Sequence, residues 1–211
     1  MKTSLTSKNW VRGKTPAILE RIHEVDVNIA LFDRDISAIS KEIAFLIQRD
    51  IELRSCGSID TMVNAISDSK GLEGCETIKG DIKDLIHLFG DVSGAKEVRI
   101  FLATVKNSMC RKFHTDINDL RMLCTYSGPG TLWVREDDWG SAAFEAYEES
   151  EDGVIDERHV EQAETGSVVL LKGAIYPKEG AKAILHRSPT IEENVDKRLL
   201  LRVDTDAFLN F

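Results

Sequence analysis

The sequence has no apolar run long enough to cross a bilayer, so no transmembrane helix is expected. Its first fourteen residues, Met1 to Lys14, are polar and lack the apolar stretch of a signal peptide, which points to a cytoplasmic protein without a membrane partner. It has no C-x-x-C spacing. The four cysteines, Cys56, Cys75, Cys110 and Cys124, stand far apart and read as free thiols or ligands rather than disulfides. There is no long Lys/Arg run, and the net charge is −9. Binding to nucleic acid rests on many phosphate contacts from basic side chains, so no nucleic-acid partner is expected. Internal repeats and low-complexity segments are also missing.

What remains is ordinary globular composition: 211 residues, 42% hydrophobic and 30% charged, enough to bury a core without staples. Val27 to Phe32 is a short apolar run that reads as a strand. Asp35 is placed as a helix N-cap, and Ile36, Ile39, Ile43, Leu46 and Ile47 then recur at helical spacing, which predicts a helix over 36–53. Shorter helices are predicted over Ile59 to Ile66 and Asp81 to Phe89, the latter stopped by Gly90. Stripes of this kind report core packing first.

After Gly94 the texture changes. Strands are predicted at Glu97 to Val105, Lys112 to Asp116, Leu120 to Tyr126, Thr131 to Val134, Val168 to Leu171, Ala183 to His186 and Arg198 to Val203. An acidic stretch, 136–157, interrupts them; Trp139, Phe144 and Tyr147 give part of it a helical look. The expected fold is α+β. A helical flank, 1–94, is integrated with a β core, 95–211, and its helices pack on the outer sheet of a barrel or double-stranded β-helix of the cupin-like, jelly-roll kind.

Chemistry concentrates in the second half. His114-Thr-Asp116 is an H-x-D triplet, and on a strand the period of two puts both side chains on one face. His186 ends the run Ala183-Ile-Leu-His and supplies a third donor. Two imidazoles and one carboxylate make a facial triad, which leaves metal positions open. In Lys197-Arg-Leu-Leu-Leu-Arg-Val203, alternation puts Arg198, Leu200 and Arg202 on one face, and an inward arginine needs an anionic partner. The plainer alternatives are a structural His–Asp hydrogen bond, a core histidine at 186, and a surface ion pair of Arg198 with Asp196 or Glu193. Cys110, four residues before His114, is a possible extra ligand, and a thiolate beside imidazoles would favour zinc. Cys124 reads as a small buried residue. Ser127-Gly-Pro-Gly-Thr131 lacks the lysine and helix of a phosphate loop and reads as a tight turn. Tyr126 and Trp133 are candidates to line a pocket, and Lys172 is a candidate to reach a carboxylate.

The order H-x-D, late His, then Arg on a final strand resembles the Fe(II)/2-oxoglutarate dioxygenase superfamily over residues 97–205. That resemblance implies Fe(II) on His114, Asp116 and His186. It also implies 2-oxoglutarate held by Arg198, with Arg202 and Tyr126 nearby, and a small-molecule or peptide substrate. The long interval from Asp116 to His186 is accounted for by the acidic insertion. A second resemblance runs over most of the chain. Phe113-His-Thr-Asp, Ser127-Gly-Pro-Gly-Thr-Leu-Trp133, Leu185-His-Arg-Ser-Pro189 and Arg198-Leu-Leu-Leu201 are similar to a bacterial family catalogued only as a domain of unknown function. Its members are often encoded beside zinc-responsive genes, which implies metal homeostasis. The alternative function is therefore a non-catalytic Zn(II) protein with a closed coordination shell.

Overall fold

The computed structural model describes residues 8–107, 110–136, 155–192 and 196–205. Most of the acidic stretch, with Trp139, Phe144 and Tyr147, lies outside them. In chain order the regular elements are β1 (Trp10–Gly13), β2 (Ile29–Phe32), α1 (Ser40–Arg49), β3 (Glu52–Ser58), α2 (Ile59–Ser67), α3 (Glu76–Ser93), β4 (Glu97–Val105), β5 (Leu120–Ser127), β6 (Leu132–Val134), β7 (Val160–Gln162), β8 (Val168–Lys172), β9 (His186–Arg187) and β10 (Arg198–Thr205), with short 3-10 turns between some of them. No helix among the described residues is long and apolar enough to cross a membrane.

The strands form two sheets. The large one runs β1-β2-β8-β5-β10-β4-β3, and the small one runs β7-β6-β9. All neighbouring pairs are antiparallel except β1 with β2. The first 94 residues supply the helices and also β1, β2 and β3 of the large sheet. Period-two alternation splits the central strands between two cores. Met122, Cys124, Leu199, Leu201 and Val203 face a core shared with Met62, Ile82, Ile86 and Phe89 of the helices. Leu123, Phe101 and Leu200 face the opposite way, onto Trp133, Ala163 and Ile184 beneath the small sheet. This is the α+β, helix-backed, two-sheet jelly-roll arrangement expected from the alternation of the strands.

Several boundaries move. The helix expected over 36–53 is a 3-10 turn at Ser37–Ile39 followed by α1, which ends at Asp50 in the left-handed region (φ 51°). The rest of that span becomes β3, an edge strand with alternating half-buried and exposed positions and no apolar face to announce it. The N-cap of the turn is Ile36, not Asp35, which stands one residue earlier with its carboxylate accepting from the Ser37 N–H at 2.8 Å. α2 starts where expected, capped by the Ser58 hydroxyl.

α3 begins earlier than expected and passes through Gly90 to stop at Gly94, whose left-handed backbone (φ 68°) returns its N–H to the Gly90 carbonyl. Gly90 instead allows close approach of α2. A Cβ there would stand 2.9 Å from Ile59 Cδ1. The strand expected over Lys112 to Asp116 reduces to a single bridge, His114 with His186, and the one over Ala183 to His186 reduces to β9.

Candidate metal centre

The bridge between His114 and His186 is a reciprocal pair: each backbone N–H donates to the other residue's carbonyl at 3.0 Å. Directly opposed antiparallel residues point their side chains to the same side. The two rings therefore lie together, 4.6 Å between centroids. Each ring is held at Nδ1 by a backbone carbonyl two residues before it, Lys112 O at 3.1 Å and Ile184 O at 3.2 Å. An Nδ1–H spent on a carbonyl leaves Nε2 as the bare lone pair, the tautomer a metal takes.

Both Nε2 atoms face Asp116. His186 Nε2 is 3.3 Å from Oδ2 and His114 Nε2 is 3.7 Å from Oδ1. One ligand atom from each of the three residues lies within 4.8 Å of the others. Asp116 is buried and stands in a loop, not on a strand, tied down where its carbonyl accepts from the Ala174 N–H at 2.8 Å. Its Oδ1 meets Arg121 at 2.5 Å, while its Oδ2 has no hydrogen-bond donor among the described residues. With Nε2 of His186 unprotonated, the 3.3 Å contact is between two acceptors, a costly arrangement in a buried site unless a cation or a proton sits between them. Burial pushes the Asp116 carboxyl up, but the positive charge that faces it, from His186 and His114 whenever those rings are protonated and from Arg121, outweighs this and holds the group below its ordinary value. An ionised carboxylate oxygen and two imidazole nitrogens, all bare and converging, fit a divalent cation.

Arg198 opens onto the same pocket, together with Cys110, Arg121, Arg202, Leu123 and Leu200. It is 2% exposed. One amino group donates to Thr125 Oγ1 at 3.1 Å, and Nε has no partner. No carboxylate among the described residues pairs with it, and burial alone pulls its pKa down to about 10. Of the plainer alternative, an ion pair with Asp196 or Glu193, the pair with Asp196 does not form, since that carboxylate accepts from the Glu192 N–H, and Glu193 lies outside the described residues. The stem of Arg198 lies on the bare face of Gly128 in the Ser-Gly-Pro-Gly turn (φ 81°), where a Cβ would stand 2.8 Å from Arg198 Cγ.

The remaining expected residues divide. Arg202 lines the pocket, paired with Asp204 at 2.9 Å. Cys110 lines it too, but its sulfur is not among the converging ligand atoms. Trp133 lies beside His186 in the small sheet and packs on Trp10 in the inter-sheet core, without lining the pocket. Tyr126 is a correction. It has the parity of Met122 and Cys124, so it faces the helices and donates to Asp81 Oδ2 at 2.6 Å. Lys172 is another. Its buried ammonium donates to the Glu24 carbonyl at 2.6 Å and lies over the Tyr176 ring, away from the site, with burial pushing its pKa down to about 8. Arg121, Thr125 and Asp204 are functional-site neighbours that sequence reasoning missed. A charged residue at 121, in step with Leu123 on the inward face of β5, was the available signal.

A family model matches residues 13–204, described as a protein of unknown function. The chain belongs to the DUF1826 family. No curated protein matches this DUF1826 member. Among solved structures, it is similar to a prolyl-4-hydroxylase of Pseudomonas putida (11% identity, 90% of this chain and 97% of that one covered, TM-score 0.46). It is also similar to dioxygenase for auxin oxidation 1 of Arabidopsis thaliana in its 2-oxoglutarate complex (11% identity, 93% and 91% covered, TM-score 0.43). A third is a bsmA homolog of Methylobium petroleophilum (11% identity, 92% and 93% covered, TM-score 0.44). Likeness at this level carries no inference about activity, and the reading of this DUF1826 site rests on its own geometry.

Proposed function

We propose that this DUF1826 member is a metal-dependent oxygenase that takes Fe(II) on His114, Asp116 and His186 and holds the far carboxylate of 2-oxoglutarate on Arg198. One observation carries the reading: a buried guanidinium with no acid among the described residues opens onto the same pocket as His114 and His186, whose ring nitrogens converge with a carboxylate oxygen of Asp116. A charge left unpaired in a protein interior is costly, and an anionic ligand is the economical way to satisfy it.

The chemistry supplied at such a centre is oxidation of a substrate by dioxygen, coupled to decarboxylation of the 2-oxo acid. The protein's own contributions are positional. Arg198 offers a planar fork that matches a carboxylate. Thr125 Oγ1 accepts from one amino group of that fork and fixes its direction. Leu123, Leu200 and Phe101 line the pocket with apolar surface and thin out water around it. The substrate class proposed is a small molecule or a peptide.

A closed Zn(II) site serving metal homeostasis would need a fourth protein ligand. Cys110 is the only thiol lining the pocket, and its sulfur lies outside the converging set among the described residues. The open three-ligand arrangement is therefore the better supported of the two. The deciding experiment is anaerobic titration of the apoprotein with Fe(II) and 2-oxoglutarate, read by the weak visible charge-transfer band of chelated iron. The band is expected in wild type and lost in Arg198→Ala. A protein that shows no band yet retains zinc tightly overturns the oxygenase reading.

A further inference from the structure

Asp116 is the only one of the three converging residues without a strand or bridge of its own. Its carboxylate is nevertheless held in one orientation, and the holder is a side chain of the opposite sheet. Arg121 sits on β5 directly across from Asp204 on β10. Its Nε donates to Asp204 Oδ1 at 2.5 Å, and its terminal amino group meets Asp116 Oδ1 at 2.5 Å. Asp204 is fixed from other sides by Arg202 at 2.9 Å and by the Asn118 amide at 3.3 Å. A planar guanidinium shared by two carboxylates has little freedom to rotate. The loop carrying Asp116 is thereby referenced to two central strands of the large sheet.

We infer that Arg121 is a positioning residue that engages Oδ1 of Asp116, so that Oδ2, the oxygen 3.3 Å from His186 Nε2, is the one left free for a cation. The inference rests on the metal reading above and deepens it. A carboxylate free to turn can chelate a cation through both oxygens and so occupy two coordination positions. One whose Oδ1 is engaged by a guanidinium gives one oxygen and leaves the other position for solvent or co-substrate. Arg121 thus governs how open the centre is, without touching the cation.

The sign of one measurement separates this from a simple charge effect. Removing a cation near a metal site strengthens metal binding by Coulomb's law. Removing a positioning partner weakens it, by roughly 10- to 100-fold for outer partners of metal ligands. The full-length apoprotein is titrated with Mn(II), free metal is read by its EPR signal, and exchangeable water on the bound ion is read by proton relaxation. Arg121→Met is expected to bind Mn(II) about 10- to 100-fold more weakly than wild type, with fewer exchangeable waters at saturation. Arg121→Lys keeps the charge but lacks the fork, and should fall between the two.

Affinity that is unchanged or tighter in Arg121→Met, with the same water number, overturns the inference. If circular dichroism shows that Arg121→Met does not fold, Asp204→Asn replaces it. That variant releases the far side of the guanidinium and is expected to lose affinity several-fold; unchanged affinity there overturns the inference as well. Failure of wild type itself to bind Mn(II) overturns the metal reading, and this inference with it.

Discussion

Replacing Arg198 with methionine should make the protein more stable while removing its co-substrate. The side chain is 2% exposed, and burial alone lowers its pKa from 12.5 to about 10. The group remains charged at neutral pH, so the shift measures what the folded state gives up to keep that charge. At about 1.4 kcal/mol per pKa unit, the drop corresponds to roughly 3 kcal/mol. Methionine keeps most of the stem's packing and has no charge to desolvate. Against this, the Thr125 hydroxyl loses the donor it accepts from at 3.1 Å, a loss of about 1 kcal/mol. The net gain is about 2 kcal/mol, which at this chain length raises Tm by roughly 4–8 °C.

The assay is a pair of thermal melts, with and without 2-oxoglutarate. Ligand at 100 times its Kd should stabilise wild type by about 2.7 kcal/mol and leave Arg198→Met unmoved. Two results would refute the reasoning. If Arg198→Met melts below wild type in the absence of ligand, Arg198 is a structural donor. If 2-oxoglutarate raises both proteins equally, the anion binds elsewhere.

Three further outcomes are expected. His114→Ala and His186→Ala should each abolish retention of Fe(II) or Mn(II) by the purified protein, measured by elemental analysis after dialysis, with the far-ultraviolet dichroism of wild type preserved in the His114 variant. Gly128→Ala should cost about 1–3 kcal/mol more in a urea melt than Gly74→Ala. Both positions have positive φ, but a Cβ at 128 stands 2.8 Å from Arg198 Cγ and 2.9 Å from the Lys197 carbonyl, whereas at 74 nothing lies within 4 Å. Lys172 supplies a pH test. Its folded pKa of about 8 lies below the ordinary value of 10.5, so between those pH values the unfolded chain binds more protons and wild-type stability rises with pH. The stability of wild type relative to Lys172→Met should therefore improve from about pH 8 to 10.5 and stay flat between about pH 6 and 7.5; a flat difference throughout would contradict it.

The parts of the fold that were legible before the structure are those whose burial writes itself into the chain. β4, β5, β8 and β10 are buried on both faces or nearly so, and read as short apolar runs. β1 and β3 are edge strands of the large sheet, and an edge strand needs no apolar face to be held in place. Glu52 and Leu53, the start of β3, fall within the span expected to be helical for that reason.

The candidate site divides along the same line. His114, Asp116, His186 and Arg198 carry a residue type and an order that single them out; the fold brings the first three together, and both histidines share a pocket with Arg198. Tyr126 was read from its neighbourhood without its parity: one residue from Thr125, it stands on the other side of the sheet. Arg121 and Asp204 are 83 residues apart, and only the β5–β10 register makes them partners.

The pocket has walls of very different stiffness. One is built on β4, β5 and β10, strands of nine, eight and eight residues locked into the middle of a seven-stranded ladder. The other is the small sheet, with strands of three, three and two residues, and it carries His186 and its bridge to His114. A ladder so short has few hydrogen bonds to break, so partial opening there is far cheaper than any opening of the large sheet. Arg198 and Arg121 thus stand on a fixed floor, with Asp116 tied to it through Arg121, while the roof over them gives. Guests of different bulk could be admitted by lifting that roof, with the anchoring groups below left where they are.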